Sequence, residues 1–563
     1  MGLTFAQDIA TIIAMNKAGN TVKIIEVYNK NAGVTYVYED TAYWDSEKKQ
    51  GRHRRKCIGK KGSDGRIIYN EYYLSRQKAS QVQEHSIPVV SKTTLLGQNL
   101  ILDPIIARIG LGNVLAKALG PQDAAYVLGL AKCSVCTGRP LSYAESWLDE
   151  RGFDGSQLCS QRITELLRRL DKDVQNTFFA SWIERNREKK NLLFDISSIS
   201  SYAKDNPYVE WGYNRDKEKV PQINIGLLSS YATRLPLWFS ELPGSMNDSI
   251  VLQQVLEQLK KLEVPPSVII GDRAFCSVDN IALLTDHGHK FLIPVPSNVT
   301  WARELIEKHR HAIQRPDTLI PTDDKEAIIY GLKTIRKTEQ GRMWAHVYFD
   351  AARKERDVAR LMKKLQQCMA ELESQQPIKT NQSYYDRYFE VRETPKRGRK
   401  VLLKDEEVQS FIDGQSGYWV LYTNAEKDPA EALYAYRQRN DIELLFDDMK
   451  NIIDCNRLRV HTEQVMKGRL FINFITLIIL TALKERIKLI PAKQRKYWNH
   501  REILDKVNTY SKVHYRGKYK DVYTVPTKAQ RIIFDLFGVE YSWKGKLMNV
   551  GDEDPFKTDS PLS

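Results

Sequence analysis

Apolar positions recur along the chain with two periods, and the switches between them mark out its elements. VKIIEVY and VTYVYED flank the turn signal NKNAG near the start, a strand pattern that predicts a hairpin. The basic run RHRRKCIGKKG follows and reads as a loop between strands, and the polar residues 80–84 read as a linker. Helical periodicity then covers 99–119, 122–130, 143–151 and 159–186, joined by LGPQD, TGRPLS and RGFDGS, each with a glycine. From residue 191 the pattern changes again. NLLFDISSIS, INIGLLSS and LPLWFSEL predict three strands, 248–262 a helix, VIIGD a strand, 277–286 a helix and KFLIPVP a strand.

Strand, strand, strand, helix, strand, helix, strand is the order of a ribonuclease H-like α/β fold. Residues 298–415 interrupt it with strand-like AIIYGL and MWAHVYF and a charged helix over 352–375. That helix carries Val358, Leu361, Leu365, Met369 and Leu372 as one apolar stripe. So long an interval is no single loop and reads as an inserted domain. SGYWVLYTN leads back to the core. The apolar run Leu470–Leu483 is short of the roughly 20 residues that span a bilayer and reads as a buried helix. KVNTYSKVHYRGKYKDVY is basic and aromatic, suited equally to nucleic acid or to a tyrosine-rich β surface, and the acidic end GDEDPFKTDSPLS reads as disordered. The expected organisation is a β-rich basic module (1–85), a helical domain suited to binding DNA ends (86–190), the first part of the core (191–297), the insertion (298–415), the second part (416–485), and a basic region with an acidic tail (486–563).

Composition narrows the partner. The 563 residues carry a net charge of +15 and a pI of about 9.2, which points to a polyanion. The opening MGLTFAQDIATIIAMNKAG is too polar for a signal sequence, so nucleic acid is favoured over a membrane. Seven dispersed cysteines make no disulfide framework and suit the reducing cytoplasm. Cys133 and Cys136 form a CxxC with no second pair at zinc spacing. No GxxxxGK[ST] loop is present, so ATP has no site of that kind.

The chemistry concentrates in Tyr434–Ile453. At about 100° per residue, Tyr436, Arg439, Glu443 and Lys450 fall within about 60° of one another on a helix, beside the apolar sector of Ile442, Leu445, Phe446, Met449 and Ile453. An acid flanked by bases on one edge suits a metal next to phosphate. Tyr, two residues, Arg, three residues, Glu, six residues, Lys resembles the YREK motif of bacterial DDE insertion-sequence transposases. GDRAF, ending the fourth core strand, resembles the segment around the second aspartate of that family, and PGSMNDS resembles the segment before it.

The resemblance covers about 190–485 and implies a catalytic triad of Asp195, Asp272 and Glu443. Three carboxylates suit two Mg²⁺ (or Mn²⁺) ions, hard cations that take oxygen ligands. Asp195 would bridge the ions, with Asp272 and Glu443 completing one side each. Tyr436, Arg439 and Lys450 would hold phosphates, and Arg54, Arg55 and Lys56 become candidates for DNA contact. Asp447 lies about 40° around the helix from Glu443 and competes with it as third carboxylate. The implied activity is DNA transposition on double-stranded ends and target, with a homodimer bridging two ends. Two other readings are a structure-selective nuclease on the same fold and a transposase-derived DNA-binding protein without catalysis.

Overall fold

The computed structural model describes residues 14–15, 21–45, 48, 50–84, 89–153, 158–186, 191–212, 218–246, 248–322, 328–394, 398–455, 457–458, 460–495, 498–517, 519–543 and 546–548. The acidic tail lies outside them. Two compact units are formed, one from the residues up to Lys92 with His514–Asp521, the other from the rest.

The smaller unit is an antiparallel meander of β1 (Thr21–Asn29), β2 (Val34–Asp45), β3 (Gln50–Lys61) and β4 (Ile67–Tyr69), with Ala14–Met15 at its edge, followed by α1 (Glu71–Glu84). Two expectations fail here. The basic run is a strand rather than a loop, because β2 opposes it with acids: Asp40 pairs with His53 and Arg55, and Asp45 with Arg52. Residues 80–84, read as a linker, close α1.

The larger unit is mixed α/β around an eleven-stranded sheet. One end of it is an antiparallel meander of β5 (Asn191–Ser201), β6 (Gln222–Ser230) and β7 (Pro236–Pro243). After α8 (Asp248–Lys261), β8 (Val268–Ile270) runs parallel to β5, and after α9 (Val278–Asp286), β9 (Lys290–Pro294) runs parallel to β8. The buried, near-continuous apolar runs of β5 and β6 reflect cover on both faces.

Beyond α10 (Thr300–His309), the strands β10 (Leu319–Ile320), β11 (Ile329–Leu332), β12 (Ile335–Thr338) and β13 (Gly341–Asp350) extend this same sheet. They reach it through β16 (Tyr418–Thr423), which lies between β13 and β9. What leaves the sheet is α11 (Ala351–Glu373), α12 (Gln382–Tyr388), the hairpin β14 (Phe389–Thr394) and β15 (Gly398–Leu403), and α13 (Asp405–Gly414). This body has its own small core, including Leu361, Leu365, Leu372, Tyr385, Phe389 and Val408.

The helical stretch comprises α2 (Gly97–Ile109), α3 (Leu111–Leu119), α4 (Pro121–Thr137), α5 (Ala144–Asp149), α6 (Ser160–Arg169) and α7 (Lys172–Arg185). Two of the continuous helices expected there are broken. Gly110, at φ 69°, ends α2 and turns the chain by 73°, and Asp171 caps α7 by accepting from the Asp173 and Val174 amides. These helices share one hydrophobic core with the sheet. After α14 (Pro429–Arg437) and α15 (Asn440–Asp447), the two-residue strand β17 (Arg457–Leu458) pairs with β5, and α16 (Glu463–Lys488) runs through that core. By length and composition α16 could cross a bilayer, but 83% of its apolar window is buried inside the fold. Gly468 lets it approach α6 closely: a Cβ there would stand 2.0 Å from the Leu167 carbonyl oxygen.

The helix His500–Val507 opens on a capping box in which Asn499 and Glu502 bond each other's backbone amides. Burial, with Lys484 and Arg501 adding like charge, pushes the His500 imidazole down to about 4 from its ordinary 6.5. Between those values the unfolded chain takes up a proton that the folded chain refuses. This contribution to stability is therefore present above pH 6.5 and lost as pH falls towards 4, on the order of 2 kcal/mol. Urea midpoints at pH 7 and pH 4.5 should differ less in His500→Gln than in the wild type.

Candidate active site

Backbone register sets the first two acids side by side. β8 pairs with β5 through Val268 with Asn191, Ile269 with Leu192 and Ile270 with Leu193. Two residues further along each chain stand Asp272 and Asp195, level with one another on neighbouring parallel paths, where strands lie about 4.8 Å apart. Asp195 is in the middle of β5 rather than at a strand end, because β5 continues as the partner of β6 through Ser200. It is β8 that stops, at Ile270, two residues before Asp272.

Asp272 caps the short turn Arg273–Phe275, accepting from the Arg273 amide at 2.6 Å, while the Asp195 carboxylate accepts from the Ile196 amide at 2.8 Å. Phe275 is buried against Phe194, with ring centroids 5.3 Å apart, so the GDRAF turn is pinned onto the strand that carries Asp195. Gly271 permits this, since a Cβ there would stand 3.1 Å from the Phe275 ring.

The third acid comes from α15, which packs on β5 and β6. Arg234, in the turn between β6 and β7, bonds Asp441 of α15 and Glu485 of α16, each at 2.7 Å, and so ties both helices to the sheet. Sequence pattern carries no sign of this clamp, because its partners lie 207 and 251 residues away. Two residues after Asp441, Glu443 is exposed and salt-bridged to Arg439. The same guanidinium reaches Asp195 at 3.3 Å. Burial pulls Arg439 down, but Tyr436 and the carboxylates of Asp195, Asp272 and Glu443 outweigh it and raise the group, so its charge is secure. Burial raises the neighbouring Tyr436 phenol and keeps it protonated as a donor, although Arg439 opposes the shift.

The single helical stripe expected from the sequence does not survive. Between α14 and α15 the chain tightens into three-residue turns, with the Arg439 amide bonding the Tyr436 carbonyl. Residues Asp448–Ile452 then form a π turn, which a 3.6-residue period cannot foresee. Tyr436, Arg439 and Glu443 still face the carboxylate centre. Lys450 is turned towards Glu218, whose carboxyl is held low first by Ser200 and Arg457 and also by Lys450. Asp447 points elsewhere and accepts from Asn451 at 2.6 Å, and the buried Asp448 is paired with Lys484 of α16.

In the smaller unit, Arg54, Arg55 and Lys56 are exposed on β3. Arg55 stands 3.7 Å from Asp40, and Lys56 sits over the Tyr72 ring at 3.8 Å. The Cys133 and Cys136 thiols are buried and raised by that burial, Cys136 the further, and neither is a reactive thiolate.

Among the described residues no group of three carboxylate, histidine or cysteine side chains already stands as a metal cage. Asp195, Asp272 and Glu443 surround a guanidinium instead. Their chemistry nevertheless fits a hard divalent cation, since every donor is an oxygen and a positive charge already sits among them.

No curated protein matches the chain. A solved structure, a piggyBac transposase synaptic complex with hairpin DNA, is 12% identical over 73% of this chain and 76% of its own, with a TM-score of 0.35. The family model for the transposase DDE domain matches residues 188–479, the span that contains both aspartates, the strands of the insertion and the glutamate helix. The chain belongs to the DDE-domain transposase family.

Proposed function

We propose that the protein is a cut-and-paste DNA transposase, with Asp195, Asp272 and Glu443 as its catalytic carboxylates on a ribonuclease H-like frame. The observation that carries this is the meeting of two level aspartates and a helix glutamate around one guanidinium, inside the span that matches the family. The three acids would hold two Mg²⁺ or Mn²⁺ ions. When bound, these supply Lewis-acid stabilisation of charge on the attacking and leaving oxygens of an in-line displacement.

The protein's own groups do the rest. Arg439, anchored among the acids, is the cation that turns to a phosphate once the carboxylates have another partner, and the protonated Tyr436 donates a hydrogen bond to the same region. Lys450 and the exposed Arg54, Arg55 and Lys56 contribute phosphate contacts further out. Water cleaves at the element's end and frees a 3′-hydroxyl, which then attacks a phosphodiester of target DNA. One ester replaces another, so joining needs no ATP. Bringing two ends to one target calls for two protomers, and a homodimer on paired ends is the assembly this chemistry requires.

The test is incubation of the purified protein with labelled duplex DNA carrying the element's terminal repeats. Nicking at the repeat boundary with Mg²⁺, abolished by EDTA and restored by Mn²⁺, is expected. Binding of the repeats with no cleavage under any of these ions would replace this reading with that of a DNA-binding protein without catalysis.

A further inference from the structure

A groove of about 1040 Å³ begins at Asp272, Tyr436 and Arg439 and runs out between the sheet and the helical body α11–α13. Its walls carry Arg273, Arg303, Arg353, Arg360, Lys364 and Arg387, and beyond Asp272 the acid among its lining residues is Asp357. Asp357 stands 3.6 Å from Arg353 and 3.7 Å from Arg360, and Arg387 is paired at 3.4 Å with Glu407, which lies outside the groove's lining, so the lining itself remains more basic than acidic. Aromatic rings alternate with the cations. Arg353 lies over Trp419 at 4.7 Å and Lys364 near Tyr384 at 5.7 Å, both rings half-buried, while Tyr388, 5.0 Å from Arg387, belongs to the core of the helical body.

We propose that this groove binds a single strand of DNA adjoining the scissile phosphate, an inference that rests on the transposase reading of the carboxylate centre. Cations that track a backbone, interleaved with rings on which bases stack, are the two features by which proteins hold single strands without regard to sequence. The size agrees. At about 1040 Å³ the groove matches the upper end of the roughly 300–1,000 Å³ of small-ligand clefts, room for a few nucleotides of one strand. The continuity agrees as well, since the path starts at Asp272 and at Arg439, whose guanidinium bonds Asp195 and Glu443. Strand separation next to the cleaved bond would deliver a single strand there, and the helical body, with its own core, supplies the outer wall.

Fluorescence anisotropy with the full chain tests this, using a labelled oligothymidylate about 12 nucleotides long and a blunt duplex of equal length. Arg360 and Lys364 project from α11 and Tyr384 is half-buried, so substitutions there spare the fold, checked by an unchanged melting temperature. Tyr384→Ala should weaken oligothymidylate binding on the order of tenfold. In Arg360→Gln/Lys364→Gln, the slope of log K against log salt should become shallower by about 1.4, that of two lost single-strand phosphate contacts. Duplex binding should change less than about twofold in both variants. Equal loss on the duplex, or no loss on the single strand, would overturn the proposal. If the wild type cuts no DNA while the groove variants still lose the single strand, it is the transposase reading that fails and the groove that stands.

Discussion

Asp272→Ala and Glu443→Ala are each expected to lower end cleavage by about a thousandfold or more, while Asp447→Ala stays within about threefold. The magnitude follows from what each acid does. On the proposed reading, removing an oxygen donor from the carboxylate centre takes away both the affinity for divalent ions and the charge stabilisation they would supply; changes to groups merely supporting metal ligands already cost about 10–100-fold. The contrast with Asp447 follows from geometry. Arg439 joins Asp195 to Glu443, whereas Asp447 is engaged by Asn451. Because Glu443 is exposed and Asp272 half-buried, alanine at either leaves the core intact, and an unchanged melting temperature should accompany the loss. Single-turnover cleavage of a labelled end measures all three. Survival of activity in Glu443→Ala with its loss in Asp447→Ala would move the third carboxylate one helical turn.

Gly468→Ala is expected to destabilise the protein by roughly 2–4 kcal/mol, and Gly468→Val by more. The sign is the informative part. In an exposed helix interior, alanine is better than glycine by about 1 kcal/mol. Here the added methyl would meet the Leu167 carbonyl oxygen at 2.0 Å and the Leu167 Cα at 2.7 Å. Backbone atoms cannot rotate away as a side chain would, so α16 must lift off the end of α6. That movement disturbs Met466 and Leu470, which are buried beside it. Urea denaturation reads the effect directly, and a gain in stability for Gly468→Ala would mean that the two backbones are further apart than described.

Local pattern made the central elements legible. The three apolar runs, the two helices and the two later strands between 191 and 294 occur in the expected order, because each is long and uniform enough to declare its period. What pattern could not declare was pairing at a distance. That β13 lies beside β16 depends on contacts such as Val347 with Val420, and nothing within either strand names its neighbour. The interval after 298 thus read as one inserted body, although its first strands belong to the main sheet. The level placement of Asp195 and Asp272 is likewise a matter of register between separate strands.

The glutamate helix shows the opposite limitation. Its residues were identifiable, but angles computed at a constant 100° per residue carried Lys450 into a stripe that the π turn dissolves. Basic residues 52–56 misled for a chemical reason. Five consecutive positive or titratable side chains look like a solvated loop until an acidic strand is set against them, and Asp40 and Asp45 lie on that strand.

The roots of the helical body hold a consequence for how such a protein can change. Phe349 and Tyr418 are directly paired across β13 and β16, and the Asp350 amide bonds the Gly417 carbonyl at 3.0 Å. The chain therefore departs from the sheet and returns to it at adjacent positions, through stems already joined as in an ordinary hairpin. Everything from Ala351 to Ser416 is a cassette whose two ends meet. A tight turn could close the gap without moving β13 or β16, and a different body could be grafted on the same stems. Lineages of this fold could lengthen, shorten or exchange the segment while the paired aspartates stayed where they are.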